Sequence, residues 1–325
     1  MKQKKYLVTG GLGFIGSALV RRLVKEGNFV RVIDNASRGT ILRVKDFAKK
    51  IELINADIRD AGAVLEACKG IDCVCHLAFV NGTEFFYSKP EVVLDVGVKG
   101  MVNVIDGCIK ENISELALAS SSEVYQTPKK IPTREDAEMS IPNPLNPRYS
   151  YAAGKIISEI MAINYGRKFF KRVVIFRPHN VYGPDMGFEH VIPQLLMRMK
   201  SLIAAGKKNV IDFPLQGTGE ETRAFVFVDD FIDGLMLVLE KGEHLGIYNI
   251  GTMDEVKIRD VAIKISDYFG IGINIIPGDP AKGGTQRRCP DITKIKKLGY
   301  SPIISLDEGI RITAKWYENA KQQAK

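Results

Sequence analysis

The sequence predicts an α/β fold, a doubly wound parallel sheet joined to a smaller C-terminal lobe. Three observations predict it. A short apolar strand pattern, Tyr6-Leu7-Val8, runs into a glycine-rich turn and on into an apolar helix pattern that begins at Leu12. Strand and helix patterns then alternate through the first half of the chain. After Arg177 the alternation loosens into amphipathic pieces punctuated by Pro and Gly. Alternating β and α units call for right-handed crossovers, which place helices over both faces of a parallel sheet.

The first turn carries the chemistry of a phosphate cradle. Gly10, Gly13 and Gly16 fall in the pattern GxxGxxG. The first glycine permits the turn, the second lets backbone approach a pyrophosphate, and the third lets the helix pack closely on the strand. The helix N-terminus adds unpaired N–H groups and a partial positive charge. The second strand, residues 29–33, ends in Asp34, roughly 20 residues past the glycines. A carboxylate there accepts hydrogen bonds from an adenosine ribose diol and repels a 2′-phosphate, so NAD is expected rather than NADP. Arg38 lies close by in sequence and could weaken that preference. Together the turn and Asp34 define a Rossmann-type dinucleotide signature; the plain alternative is an ordinary Gly turn and a surface Asp.

The remaining elements follow in order. Residues 51–55 are a third strand and 61–69 a helix. Residues 72–77 are a fourth strand, and 91–111 a long helix with apolar residues at helical spacing. Residues 115–119 are a fifth strand running into Ser120-Ser121-Ser122-Glu123. A Pro-rich loop over 127–147 leads to a helix at 149–170, and 172–176 form a sixth strand. Later come a strand at 224–228, a helix at 229–240 and a short strand at Tyr248-Asn249-Ile250; the rest is helix, loop and helix. Ligands of such sheets bind beyond the C-terminal strand ends, where every polar cluster named here sits. The expected division is a dinucleotide-binding domain of 1–177 plus about 224–252, and a substrate-binding lobe of about 178–223 plus 253–325.

Composition sets the class. The chain has 325 residues, 45% hydrophobic and 26% charged, enough for a large core in an ordinary water-soluble protein. No apolar run approaches a membrane span, and the first strand starts too early for a removable signal peptide. Cys68, Cys73, Cys75, Cys108 and Cys289 are scattered. Cys73 and Cys75 share one strand face, which suits small buried residues better than a metal site or disulfide. Reduced thiols, no metal and a cytoplasmic location are expected. The formal charge is +8, but the basic residues are dispersed, with mild clusters at Lys129-Lys130, Lys207-Lys208 and residues 294–297. A nucleic-acid binder would concentrate them on one face; a solvated surface, drawing in anionic small substrates, is expected instead.

Tyr151 and Lys155 stand at i, i+4 on one helix face. A free Tyr is too weak an acid to work as a base at neutral pH. A neighbouring ammonium and a positive nicotinamide would both favour phenolate. Ser121, at the end of strand five, could share the substrate's proton. Hydroxyl, Tyr and Lys make an apparatus for removing a proton while hydride leaves the same carbon.

With these residues in place, the chain resembles the extended short-chain dehydrogenases/reductases of the nucleotide-sugar epimerase/dehydratase family. The segments TGGLGFIG, VIDN, DIRD, HLA, SSSEVY, YAAGK, RPHNVYGP, RAFVFVDD, YNIG and RRCPDI occur in family order over nearly the whole length. The resemblance implies tightly held NAD that oxidises a sugar, usually at C4, and often reduces it again. It places Gly10, Gly13, Phe14, Ile15, Gly16, Asp34 and Asn35 along the dinucleotide, Asp57 and Ile58 beside the adenine, and Leu77, Ala78, Tyr151 and Lys155 along the ribose and nicotinamide. It puts Asn180 and Arg223 on the substrate diphosphate and Arg288 on the nucleotide end; the plain alternative for each is a surface or structural residue. A homodimer pairing the helices at 91–111 and 149–170 is also implied.

The reaction is less closely specified. Ser122-Glu123 and Pro147-Arg148 resemble GDP-mannose 4,6-dehydratases and UDP-glucuronate decarboxylases. A carboxylate at Glu123 could take the C5 proton made acidic by a C4 ketone, or point into solvent as a turn residue. The breadth of resemblance favours a 4-epimerase of the UDP-glucose 4-epimerase type, acting on a UDP-, GDP- or dTDP-linked sugar. A 4,6-dehydratase using Glu123 comes next, then decarboxylation or simple 4-oxidation. A non-catalytic NAD-sensing protein is the reading from another class. Four departures from the family pattern fall where the sugar would sit: Gly97 for a common Asn, Phe79 after HLA, the aromatic loop 81–87, and His179 before Asn180. His179 and His76 are each expected to be structural before catalytic.

Overall fold

The computed structural model describes residues 3–206, 209–279 and 284–319. Seven strands form its central sheet: β1 (Lys5–Thr9), β2 (Phe29–Asp34), β3 (Glu52–Asn55), β4 (Cys73–His76), β5 (Glu115–Ala119), β6 (Arg172–Pro178) and β7 (Gly246–Ile250). Their order is β7-β6-β5-β4-β1-β2-β3, every pair parallel. The order reverses between β1 and β4, so a crevice opens at their C-terminal ends. This is the doubly wound Rossmann-type arrangement that the alternating pattern predicts.

Strand alternation sorts the core into two layers. Tyr6 and Val8 of β1, Cys73 and Cys75 of β4, and Ala117 of β5 face one side, where they meet Leu19, Val20 and Leu23 of α1 (Phe14–Lys25). Leu7, Val74, Leu116 and Leu118 face the other side. There they meet α2 (Ala61–Cys68), α4 (Pro90–Lys110) and α5 (Ser150–Phe169). All five cysteines are buried free thiols.

The looser half is built from more elements than periodicity shows. α6 (Val191–Ala205), α7 (Val228–Lys241), α8 (Ile258–Phe269), a one-turn α9 (Thr293–Lys296) and α10 (Leu306–Asn319) surround three small sheets. The expected strand at 224–228 is two short ones, Thr222–Ala224 and Val226–Phe227. The first pairs with Arg287–Arg288 and Glu255–Lys257, the second with Val181–Tyr182. Val210–Pro214 pairs with Gly272–Ile276. These strands are too short for an alternating pattern to register. Leu196, Ile265 and Ala314, from α6, α8 and α10, join the same apolar cluster as Val8 and Leu19, so this half packs onto the sheet through one continuous core.

Two further segments differ from expectation. Residues 81–87, read as a loop, run mostly within the short helix α3 (Thr83–Ser88), bracketed by Gly82 at φ 126° and by Pro90. Residues 41–50 form a kinked 3₁₀ segment. The Lys207-Lys208 cluster lies outside the described residues. Among the described residues no helix is long and apolar enough to cross a membrane.

Candidate active site

At the crevice, Gly10 takes φ +72°, and a Cβ there would stand 2.8 Å from the Ala78 backbone. A Cβ on Gly16 would stand 2.1 Å from the Gly10 carbonyl oxygen. Gly13 caps α1 in an extended conformation, so the helix starts at Phe14, two residues later than the apolar pattern indicates. The Asp34 carboxylate accepts from the backbone N–H of Leu12 (2.9 Å) and of Ala36 (2.8 Å), which ties the glycine turn to the end of β2. Arg38 pairs with Glu189 and lies 4.7 Å over the Phe85 ring, and it lines the same small cavity as Asp34.

Two adjoining cavities run from here. The smaller, ≈ 130 Å³, is lined by Asp34, Asn35, Asp57, Ile58 and Ala78. Asn35 and Arg59 donate to Asp57 at 2.9 Å, and the Arg59 bonds are the main cause holding its carboxyl below the usual range. The larger, ≈ 390 Å³, is lined by Phe14, Ile15, Leu77, Ser121, Ser122, Glu123, Tyr151, Lys155, Asn180 and Arg288. Gly10, Gly13, Leu77 and Phe79 border both. The residues therefore fit a dinucleotide: a glycine cradle that a Cβ would fill, and an anchored carboxylate beside the smaller cavity.

Ser121 caps a 3₁₀ turn at Ser122–Tyr125, accepting from the Glu123 N–H at 3.1 Å, so its hydroxyl stays at the strand end. Tyr151 is 7% exposed and stacked on Phe86, with ring centroids 5.0 Å apart. Burial raises its pKa, a hydrogen bond with Ser121 opposes the rise, and the Glu123 charge adds to it. Lys155 donates to the Ala119 carbonyl at 2.7 Å, and burial lowers its pKa to about 7 against the opposing pull of Glu159. The Lys155 ammonium is directed at Ala119 O and the Phe79 ring, and its Nζ lies 5.7 Å from the centroid of the Tyr151 ring.

Glu123 is no solvent-facing turn residue. Arg288 donates to its Oε1 at 2.8 Å. Burial pushes the Glu123 pKa up, but Arg288, Arg148 and Arg223 outweigh it and hold the carboxyl below its usual range. Arg223 pairs through backbone with Arg288, donates to the Thr222 carbonyl at 2.7 Å, and lines a separate neighbouring cavity. Burial and the Arg288 charge lower its pKa to about 10. Asn180, at φ 43°, donates to the Ala224 carbonyl at 3.1 Å. Arg148 projects into the main cavity and its buried Nε has no protein partner. His179 and His76 are both buried, with pKa lowered to about 3 chiefly by desolvation. They bond Asn249 and Thr9 respectively, so both are structural.

Behind the site lies a network that sequence reading missed. Glu159 of α5 takes two bonds from Arg177 of β6 (2.8 and 2.6 Å) and one from Ser120, with both ion-pair partners at or near zero exposure. Arg177 also donates to the Tyr125 hydroxyl, which donates to Asn249 of β7. Glu159 lies one turn beyond Lys155, the one signal that could have pointed to it.

Fold and site together define a dinucleotide-dependent enzyme. The chain belongs to the NAD dependent epimerase/dehydratase family, whose profile matches residues 6–251, and its cofactor is NAD. It is 31% identical over 320 residues to UDP-glucuronic acid decarboxylase 1 of Xenopus tropicalis, covering 97% of this chain and 72% of that one. A dTDP-glucose 4,6-dehydratase from Streptomyces venezuelae, solved with NAD bound, superposes with a TM-score of 0.85 at 28% identity, over 97% of each chain. UDP-glucose 4-epimerase from Thermotoga maritima, solved with UDP-glucose, does so at 0.85 and 25% identity, over 97% of this chain and 98% of that one.

Proposed function

We propose that this enzyme oxidises a nucleotide-linked hexuronate at C4 and then removes its C6 carboxylate as CO₂. The observation that carries the reading is the charge of the cavity wall. Arg148 and Arg288 line the cavity with Glu123, Arg223 acts on Glu123 from the neighbouring cavity, and Arg288 bonds it. The resulting surplus of guanidinium suits a substrate with a carboxylate of its own besides a diphosphate. The decarboxylase relative supports the same choice. Dehydration, by contrast, needs an acid for the leaving C6 hydroxyl. The carboxylates lining this cavity are Glu123, held ionised, and Glu189, paired with Arg38, while Ser122 offers only a hydroxyl.

NAD, when bound, accepts the hydride from C4. Tyr151 in its phenolate form takes the O4 proton and becomes the phenol, with Ser121 hydrogen-bonded beside it. The C4 ketone is then β to the C6 carboxylate. The C5–C6 bond breaks, CO₂ departs, and the electron pair rests on the C4 oxygen, where the Tyr151 and Ser121 hydroxyls donate. C5 takes a proton from water. Glu123 holds Arg288 at the cavity wall, Arg148 orients the carboxylate, and Asn180 and Arg223 hold the diphosphate.

Product mass tests the reading. Purified protein is incubated with UDP-glucuronate, UDP-glucose, dTDP-glucose and GDP-mannose in deuterated water. Loss of CO₂ from the uronate with deuterium at C5 is the expected result. An isomer of unchanged mass without deuterium means 4-epimerisation, and loss of water from a neutral hexose means a 4,6-dehydratase; either sinks the proposal. We also propose a homodimer through α4 and α5, whose outer faces expose Val102, Ile157 and Ile160. Sedimentation as a monomer at working concentration would exclude it.

A further inference from the structure

We propose that Phe79 is a positioning residue for Lys155: its ring, seated in a slot made by Gly97 and Gly154, clamps the ammonium against the Ala119 carbonyl. Phe79 and Gly97 are two of the departures from the family pattern, and the structure joins them into one device. A Cβ at Gly97 would stand 2.3 Å from Phe79 Cζ, and one at Gly154 would stand 2.9 Å from the same atom. Gly97 belongs to α4 and Gly154 to α5, so the ring wedges between the two helices where neither carries a Cβ. The large residue after β4 and the missing side chain on α4 are thus two halves of a single fit.

The ring does more than fill space. Lys155 Nζ lies 4.1 Å from its centroid, well inside the range at which an aromatic face attracts a cation. The Tyr151 ring meets it edge-on at 5.1 Å. Lys155 is 3% exposed, so water contributes little to holding its charge. The Ala119 carbonyl takes one N–H at 2.7 Å, and the ring face covers another side. Other charged or titratable groups acting on Lys155 are few. Glu159, on the same helix, favours its charged form but is itself bound to Arg177. His76, on β4, lies close enough to feel its charge and is held neutral by burial. Tyr151 lies one turn back on α5, its ring 5.7 Å from Nζ. The π face is therefore a principal support for a buried ammonium that lines the catalytic cavity.

The test needs no substrate. Lysine labelled with ¹³C reports the titration of Lys155, its resonance assigned by loss in Lys155→Arg. Phe79→Leu keeps an apolar plug and removes the π face; the Lys155 titration is expected to fall by about one pH unit. Gly97→Ala touches no substrate and favours helix, yet must push the ring aside. It is expected to shift the titration the same way, and the double variant to shift it no further than Phe79→Leu alone. Thermal melts of the NAD-loaded variants establish that each is folded. Titrations unchanged within 0.2 unit (about the resolution of such a curve) in both folded single variants would overturn the proposal. So would a rise in Phe79→Leu, which would make the ring a water seal. These outcomes do not depend on which sugar is turned over. Once a substrate is known, kcat of Phe79→Leu is expected to drop about tenfold with KM little changed.

Discussion

Removing the Glu159 carboxylate is the most searching perturbation of the scaffold behind the site. Its side chain is 0% exposed and that of Arg177 is 1% exposed. In Glu159→Ala, Arg177 loses both carboxylate bonds. It keeps the Tyr125 hydroxyl at 2.6 Å and the Glu135 carbonyl at 2.9 Å, neither of which carries the opposing charge. An uncompensated buried guanidinium costs roughly 3–5 kcal/mol, a large share of a typical stability of about 5–15 kcal/mol. Urea unfolding of the NAD-free protein at neutral pH, with the slope checked against wild type, measures it. Replacing both partners, Glu159→Leu with Arg177→Met, is expected to cost less than Glu159→Ala, since no charge is left stranded. A loss below about 1 kcal/mol for Glu159→Ala, at unchanged slope, would refute the reasoning. It would mean that water or a local rearrangement rescues Arg177. Because Glu159 also supports the Lys155 charge, Glu159→Gln is expected to lower the Lys155 titration even where it keeps the fold.

Three other outcomes are expected. Tyr151→Phe should lower kcat by about 10²–10⁴ with cofactor binding retained, as loss of a general acid–base requires; stopped-flow reduction of bound NAD on adding the uronate reports it. Asp34→Ala should weaken NAD binding by roughly ten- to a hundredfold, the loss expected for hydrogen bonds to a charged acceptor together with the Leu12 tether. Calorimetric titration measures it, and unchanged affinity would place the adenosine ribose elsewhere. The third concerns pH. Burial lowers the Lys155 pKa from 10.5 to about 7, so between those values the unfolded chain holds a proton that the folded chain does not. Stability therefore rises with pH across that window through Lys155. Lys155→Met should flatten that part of the stability–pH curve, and a wild-type curve no steeper than the variant's from pH 7 to 10 contradicts the assignment.

Some of this site was legible because its chemistry is local in sequence. The Gly10–Gly16 turn must be glycine where backbone meets backbone, Asp34 follows at the end of the next strand, and Tyr151 and Lys155 share a helix face. Glu123 and Arg288 were individually visible, but their ion pair was not, since it joins residues 165 positions apart. Phe86 and Arg148 were visible only inside wider motifs, the aromatic stretch 81–87 and Pro147-Arg148; the stacking of one on Tyr151 and the place of the other on the cavity wall come from the fold. Arg38 was visible in sequence close to Asp34, but its ion pair with Glu189, 151 positions away, was not.

The division has a physical basis. Strand, turn and helix are set by propensity and by apolar spacing within a few residues, so the alternating elements of the first half and the cofactor cradle follow from the chain itself. The environments of charged groups are set by whatever the fold brings against them. That is why only the tertiary structure shows Glu123 ionised among arginines, Lys155 buried under the ring of Phe79, and Gly97 empty so that the ring can enter.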